Sequence, residues 1–563
     1  MNRINFIIFA MVAFSTHAMA DCQVWTETQT VRVFRESLPG ATHIVHLSAA
    51  RNEWVSFQIL VRSDAPLVIQ RIEPLEFETK GGELIPTSNV HLFRQHQIHL
   101  TVGTERNDSF RPGWYPDPLI PLRNPLNGEI LGGRLKALPF DLPANETHGF
   151  WIDIHVPAEA QTGLYRNTFR LSAEGGHNTD IPVELTVWDF QLPDTPTMQT
   201  AFGSPVQVMQ AYYKQKAMEG KEAAPSDWPA IEKQCSKLMS EHRINAVPLL
   251  DYLSPRIDGA GGYQISKERI DALREFVDQY HINALQTPNP ADVFKDSEKK
   301  DRSKFPSWLK AIDVAVERLD RPNVLFYFYL VDEPNNWETY DFIRKWGKAI
   351  HEAKSVVKVM VTESTKPRNV TWGNLYGAID IWCPLFPEFD AIGAARRQEH
   401  GETVWVYTAL CQRDRTPWWH IDHSLLNYRV PAWISWRYNI KGLLYWGGMA
   451  HWKEVDDPWS EAWTYHHPSA RRNVYNGEGT LVYPARAVGY DGIVPSLRLK
   501  ALRDGIQDYE YLSMLERLGL AEEARKIVLP LANSWFKWNE DPVAYDEARV
   551  KLAEMIISAK AKK

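Results

Sequence analysis

The sequence predicts a multidomain α/β-plus-β chain: an N-terminal antiparallel β-sandwich, a (β/α)8 TIM-like barrel and a C-terminal helical tail. Three observations predict it. From about Val31 to Val187 the residues alternate apolar and polar with the period of strands. From Met198 to Trp446 eight short apolar runs are separated by helical spacers. Beyond Pro495 the apolar residues recur at helical spacing. The expected bounds are 1–20 for a signal peptide, 21–195 for the sandwich, 196–494 for the barrel and 495–563 for the helices.

Residues 1–20 carry the marks of a secretory signal: Arg3, the apolar run Phe6 to Phe14, and the small-residue site Ala18-Met19-Ala20. A mature chain starting near Asp21, working in the periplasm or outside the cell, is expected. No later window holds about 18 consecutive apolar residues, so no membrane span is expected. The net charge of −7, spread over mixed signs, excludes a basic nucleic-acid-binding surface. Cys22, Cys235, Cys383 and Cys411 are far apart with no C-x-x-C spacing, so neither a structural zinc site nor a dense disulfide framework is indicated, and one oxidised pair stays open.

Within the sandwich, Val55 to Ile59 and Phe150 to Val156 alternate most cleanly, and Lys80-Gly81-Gly82 reads as a turn. The stretch Thr104 to Pro143, which holds RPGWYPDPLIPL, reads as a long loop. Leu192 to Pro196 is a Pro-punctuated linker. The eight barrel runs are Met198 to Ser204, Ile244 to Leu250, Ile282 to Thr287, Val324 to Val331, Val359 to Thr362, Ala378 to Phe386, Thr403 to Leu410 and Leu443 to Trp446. No G-x-G-x-x-G follows any of them, which disfavours a dinucleotide-binding sheet and implies no cofactor. In the tail, Leu497, Leu499, Leu502, Ile506, Tyr509 and Leu512 mark a helix docked on the barrel.

Barrel enzymes carry their reactive groups at the C-terminal ends of strands. The fourth run leads straight into Asp332-Glu333-Pro334-Asn335, and Pro334 turns the chain so that two carboxylates face the mouth. Adjacent carboxylates in a partly dry pocket divide into an acid and an ionised group, the pair that glycoside hydrolysis needs. The alternative is that Asp332 caps the next helix. The seventh run ends without a carboxylate, the next acid being Asp414 in the loop. That favours attack by a 2-acetamido oxygen of the substrate, with Asp332 orienting the acetamido nitrogen and Glu333 protonating the leaving oxygen.

Other strand ends offer Asp251, Glu363, Trp382, Tyr407, Tyr445 and Trp446 as residues that bind the sugar, the aromatic ones as a stacking wall. Asp456-Asp457 lacks the spaced oxygen ligands of a calcium loop. His420, His423 and His466-His467 read as exposed loop histidines, so no metal is expected. No G-x-S-x-G elbow supports a serine hydrolase.

Six ordered segments then carry a resemblance: ARNEWVSFQILVR, GFWIDIHVPAEAQTGLYRNTFRL, VELTVWDFQLPDTP, YLVDEPN, GLLYWGGMAHWKEVDDPW and VPSLRLKALRDGIQDYEYL. Together, over roughly Val31 to Leu520, the chain resembles glycoside hydrolase family 123 and its uncharacterised relatives. The resemblance implies β-N-acetylgalactosaminidase activity by substrate-assisted retention, on glycans ending in β-linked N-acetylgalactosamine. It carries the family's Asp-Glu pair onto Asp332, for acetamido orientation and oxazolinium stabilisation, and onto Glu333, as acid and then base. Two rivals stand beside it. One is a glycosidase for another 2-acetamido sugar or an internal polysaccharide linkage; the other is a non-catalytic carbohydrate-binding protein on the same scaffold.

Overall fold

The computed structural model of the chain describes residues 21–257, 259, 261–294, 302–410, 415–465 and 474–562. The expected signal peptide, Cys411, Asp414 and His466-His467 lie outside the described residues.

The N-terminal region is two packed sheets. One runs in the order Cys22–Thr28, Glu53–Ser63, His148–Val156, Val90–Leu100, Gly113–Pro121, antiparallel throughout. The other runs Val45–Arg51, Asn178–Gln191, Gly163–Ala173, Leu67–Pro74, Phe140–Leu142. Its Asn178–Gln191 and Val45–Arg51 strands are parallel, a departure from a wholly antiparallel sandwich. Alternate residues of both sheets, among them Phe57, Ile59, Phe150, Ile152, Phe169 and Leu185, meet in one apolar core.

The segment RPGWYPDPLIPL is not a loop. Gly113–Pro121 is an edge strand paired with Val90–Leu100, with Gln97 opposite Pro116 and Phe93 opposite Pro121. Proline has no N–H for a ladder and is tolerated where one side of a strand has no partner, so its prolines mask an edge strand.

In the first sheet, the polar residues that alternate with the core do not face water. Ser56, Gln58 and Asp153 are buried, and Trp151 packs into the apolar core that continues into the barrel. Ser56 and Asp153 are covered by the helix Leu497–Arg517. Its Lys500 and Arg503 donate to Asp153 at 2.6 Å and at 2.8 and 3.0 Å, and its Gln507 exchanges hydrogen bonds with the backbone of Trp54. Arg498 holds Asp117 of the edge strand at 3.0 Å. On its other side this helix packs along Leu426–Arg437, where Arg429 pairs with Asp508 at 2.6 Å.

The second body is a nearly closed parallel sheet of seven strands, in the order Gln199–Ala201, Gly442–Leu444, Thr403–Tyr407, Ile381–Trp382, Lys358–Val361, Leu325–Val331, Ala284–Gln286. Eleven α-helices accompany the sheets among the described residues. The expected eighth strand, Ile244 to Leu250, does not form a ladder. Side-chain bonds close the gap there. Asn245 Nδ2 donates to the carbonyl of Thr200 at 2.9 Å and to Asn283 Oδ1 at 2.8 Å, while Asn283 N–H donates to Asn245 Oδ1 at 3.0 Å. Two asparagine amides thus span the place where a strand was expected. No helix among the described residues is long and apolar enough to cross a membrane.

Strand alternation sorts the barrel residues. Tyr327, Met360, Ile381, Trp405 and Tyr407 fill the interior, whereas Phe326, Phe328, Val359, Trp382 and Val404 face the surrounding helices.

Candidate active site

A cleft of about 770 Å³ opens at the C-terminal ends of the barrel strands, where Asp332 and Glu333 meet Tyr329, Tyr407, Tyr445 and Trp446. The Leu325–Val331 strand carries a bulge before it reaches the acids: Tyr329 pairs with Met360 and Val331 with Val361, so Leu330 is the extra residue. A bulge re-aims the end of a strand. Asn289 stabilises this one, its amide donating to the carbonyls of Tyr329 at 2.9 Å and Leu330 at 3.0 Å. Glu333 then adopts φ +42°, a left-handed conformation that costs a side-chain-bearing residue and turns the acid relative to its neighbour.

Asp332 does not cap the following helix. The cap of Trp337–Glu352 is Asn336, whose side chain accepts from Thr339 N at 2.8 Å. The Asp332 carboxylate instead accepts two hydroxyl donors on the same oxygen, Oδ1: Tyr329 Oη at 2.7 Å and Thr362 Oγ1 at 2.9 Å. Burial, and then the adjoining charge of Asp332, push the Tyr329 phenol up from its ordinary range, so it stays a protonated donor. Across the mouth, Tyr407 donates its hydroxyl to Glu333 Oε1 in a short hydrogen bond. Among the described residues this bond, at Oε1, is the one that holds the Glu333 carboxylate.

Tyr445 and Trp446, from the end of Gly442–Leu444, form another wall of the cleft. Each is fixed from the segment that follows the barrel. Gly479 N–H donates to Tyr445 Oη at 2.8 Å, and Trp446 Nε1 donates to the buried Glu478. The opposite oxygen of Glu478 lies 2.7 Å from His420 Nε2. His420 is 1% exposed, so it is not an exposed loop histidine. It sits in a loop of the sequence but under a wall of the cleft.

Asp251 also lines the cleft, exposed at the rim, where Leu253 N–H and Ser254 Oγ donate to its carboxylate. Trp382 and Glu363 lie outside the lining. Trp382 follows the inward-facing Ile381 and so points outward, with its Nε1 on Glu402 at 2.5 Å. Glu363 follows the inward Thr362 and turns to Arg368 at 3.2 Å. Burial pushes its carboxyl up and the Arg368 charge opposes this. Asp456 and Asp457 are taken by Lys221 at 2.6 Å and Arg134 at 3.1 Å, and among the described residues no group of three or more metal-ligating side chains gathers.

Tyr329, Thr362, Asn289 and Glu478 were not among the residues expected from sequence. Tyr329 and Thr362 had a readable signal, since Tyr329 lies one alternation step inside a strand end at the mouth and Thr362 directly follows one. Asn289 and Glu478 had none, because both act from loops.

Two family models match the chain: Glycoside hydrolase 123, catalytic domain, over residues 320–515, and Glycoside hydrolase 123 N-terminal domain, over residues 25–173. Among solved structures, a family 123 glycoside hydrolase from Clostridium perfringens, described for glycolipid glycan hydrolysis, aligns with TM-score 0.65 at 14% identity. The alignment covers 95% of this chain and 97% of that one. A glycosyl hydrolase family 2 member from Bacteroides cellulosilyticus aligns with TM-score 0.24 at 10% identity over 75% of this chain and 46% of its own, too little likeness to carry an argument. No curated protein matches the chain.

Proposed function

The chain belongs to glycoside hydrolase family 123, and from that premise we propose that this glycosidase releases β-linked N-acetylgalactosamine with retention, the substrate's own 2-acetamido oxygen acting as nucleophile. The observation that carries the reading is the set of acids on the cleft. Among the described residues, Asp332, Glu333 and Asp251 line it, and Asp251 is engaged at the rim. A retaining enzyme with a protein nucleophile needs a second carboxylate about 5 Å from its acid, on the other side of the anomeric carbon. The strand opposite Glu333 presents Tyr407 at its end instead.

The chemistry follows from the hydrogen bonds. Two donors on Oδ1 of Asp332 leave its other oxygen to accept the acetamido N–H, which turns the acetamido carbonyl oxygen toward the anomeric carbon. As that oxygen attacks and the glycosidic bond breaks, positive charge grows on the oxazolinium ring beside Asp332, whose negative charge stabilises it. Glu333 gives its proton to the departing oxygen. It then takes one from the water that opens the ring, which returns the starting anomer. Tyr445 and Trp446 supply the apolar wall for the sugar ring.

A glycolipid glycan, the substrate class described for the Clostridium perfringens enzyme, is the natural candidate here. Such a target fits the secretory reading of residues 1–20, and intact mass of secreted material beginning near Asp21 tests that location. The activity itself is tested by aryl β-glycosides of GalNAc, GlcNAc, galactose and glucose. Turnover of the GalNAc glycoside above the others supports the reading, and preference for a 2-hydroxy sugar overturns it.

A further inference from the structure

We propose that Thr362 is a positioning residue that ties the two catalytic carboxylates together through a single hydroxyl. Its Oγ1 accepts the backbone N–H of Glu333 at 2.8 Å and stands 2.9 Å from Oδ1 of Asp332, to which it donates. A hydroxyl has one hydrogen and two lone pairs. The Glu333 amide has only a hydrogen to give, so it takes a lone pair, and the Thr362 hydrogen is directed to the carboxylate. Tyr329 Oη, 3.3 Å from the same Oγ1 but 2.7 Å from Asp332, gives its hydrogen to Asp332 as well. The shorter contacts thus direct both hydroxyl hydrogens to Asp332.

The placement explains two features of the site at once. Glu333 sits at φ +42°, where a side-chain-bearing residue stays only if its surroundings hold it, and Thr362 holds its amide. Asp332 keeps both its hydroxyl donors on one oxygen, and Thr362 is one of them. Thr362 is itself rigid: it directly follows the Lys358–Val361 strand, is 1% exposed, and is β-branched, so its rotamers are few. It directly follows the strand beside the one that leads into the acids, so the register between the two strands is transmitted to the angle between the acids.

This inference rests on the roles given above to Asp332 and Glu333, and it extends them to a residue that touches neither sugar nor leaving group. The test compares Thr362→Val, which keeps the shape and removes the hydroxyl, with Thr362→Ser, which keeps the hydroxyl. The variants are assayed on whichever aryl glycoside series the wild type cleaves, so a wrong sugar assignment appears in the wild type and leaves the comparison intact. Displacing reacting groups by about 1 Å costs on the order of 100-fold in rate. The expected result is therefore a fall in kcat of about that size for Thr362→Val, KM within about threefold, and recovery of most of the rate in Thr362→Ser. The loss should grow as the leaving group becomes poorer, since Glu333 is one of the two groups displaced. Should Thr362→Val not fold, Thr362→Ala takes its place against Thr362→Ser. A near-wild-type kcat without the hydroxyl, an equal loss with and without it, or a change confined to KM would overturn the proposal.

Discussion

Tyr407 and Glu333 face each other across the barrel mouth, the phenol hydroxyl of one donating to Oε1 of the other. The pair joins the end of one strand to the end of another two positions around the sheet beyond its immediate neighbours. It fixes which oxygen of Glu333 is occupied; in the proposed mechanism the other oxygen serves the leaving group.

Removing that donor should loosen the acid without removing it. A hydrogen bond to a charged or proton-sharing group is worth about 1.5–3 kcal/mol, so Tyr407→Phe should lower kcat roughly 10- to 100-fold. The loss should be larger for aryl glycosides with poor leaving groups, whose departure needs the proton most. Steady-state kinetics across a leaving-group series check this; an equal loss for every leaving group would assign Tyr407 to the sugar rather than to Glu333.

The two acids should separate by the same series. Removing one acid/base group costs about 10²- to 10⁴-fold, and Glu333→Gln should show that loss on poor leaving groups and little on good ones. Asp332→Asn should slow all of them, because the proposed route takes each through an oxazolinium-like transition state. The matching 2-hydroxy galactoside should be almost inert. Trapping of a sugar on a protein carboxylate by mass spectrometry would defeat the substrate-assisted route.

Stability should hinge on a contact far from the cleft. Asp153 is wholly buried and held by Lys500 and Arg503 of the Leu497–Arg517 helix. Burial pushes its carboxyl up, but the Arg503 and Lys500 charges outweigh this and hold it well below the ordinary range. Asp153→Ala leaves both cations buried without their partner, a change that costs about 3–5 kcal/mol. Urea unfolding at neutral pH measures it, and a loss under about 1 kcal/mol, the scale of an exposed pair, would refute the reading.

Asp504, on the same helix, has the opposite sign. Burial pushes its carboxyl up to about 7, against the pull of Arg503 and Arg429, and its Oδ2 has no hydrogen-bond partner. An unfolded Asp titrates near about 3.9. Between about pH 4 and 7 the unfolded chain therefore gives up this proton while the folded one keeps it, and stability falls as pH rises through that window. Asp153 adds no slope there, since its folded value lies below its unfolded one and its contribution fades only as pH drops toward acid. Asp504→Asn should remove this contribution while leaving the opposite one of the buried histidines, held below their ordinary range by burial, in both proteins. The difference in unfolding free energy should therefore shift against the wild type as pH rises from about 5 to 7; a difference that stays constant would reject the assignment.

Much of the architecture was legible in the chain because its cause is local. Alternation in Val55 to Ile59 and Phe150 to Val156 marks strands that half-bury, and the apolar run Leu325 to Val331 ending at Asp332 and Glu333 marks a barrel strand with its acids at the mouth. The edge strand Gly113–Pro121 was hidden because its prolines signal a loop, although an edge tolerates them. Glu363 lies outside the cleft because it follows the inward-facing Thr362, and Trp382 for a related reason. On a strand of two residues the inward and outward faces cannot be told apart until the register with the neighbouring strands is set.

By itself, then, the sequence determined the order of sandwich, barrel and helices and the position of the Asp332-Glu333 pair, since period and strand-end placement are properties of neighbouring residues. Only the tertiary structure decided three other matters. The polar face of the inner sheet is a buried ionic seam and not a solvated surface, Asn245 and Asn283 close the barrel where a strand was expected, and Thr362 stands between the two acids. Each depends on residues from 29 to 347 positions apart meeting at hydrogen-bonding distance, and only the packed chain brings such residues together.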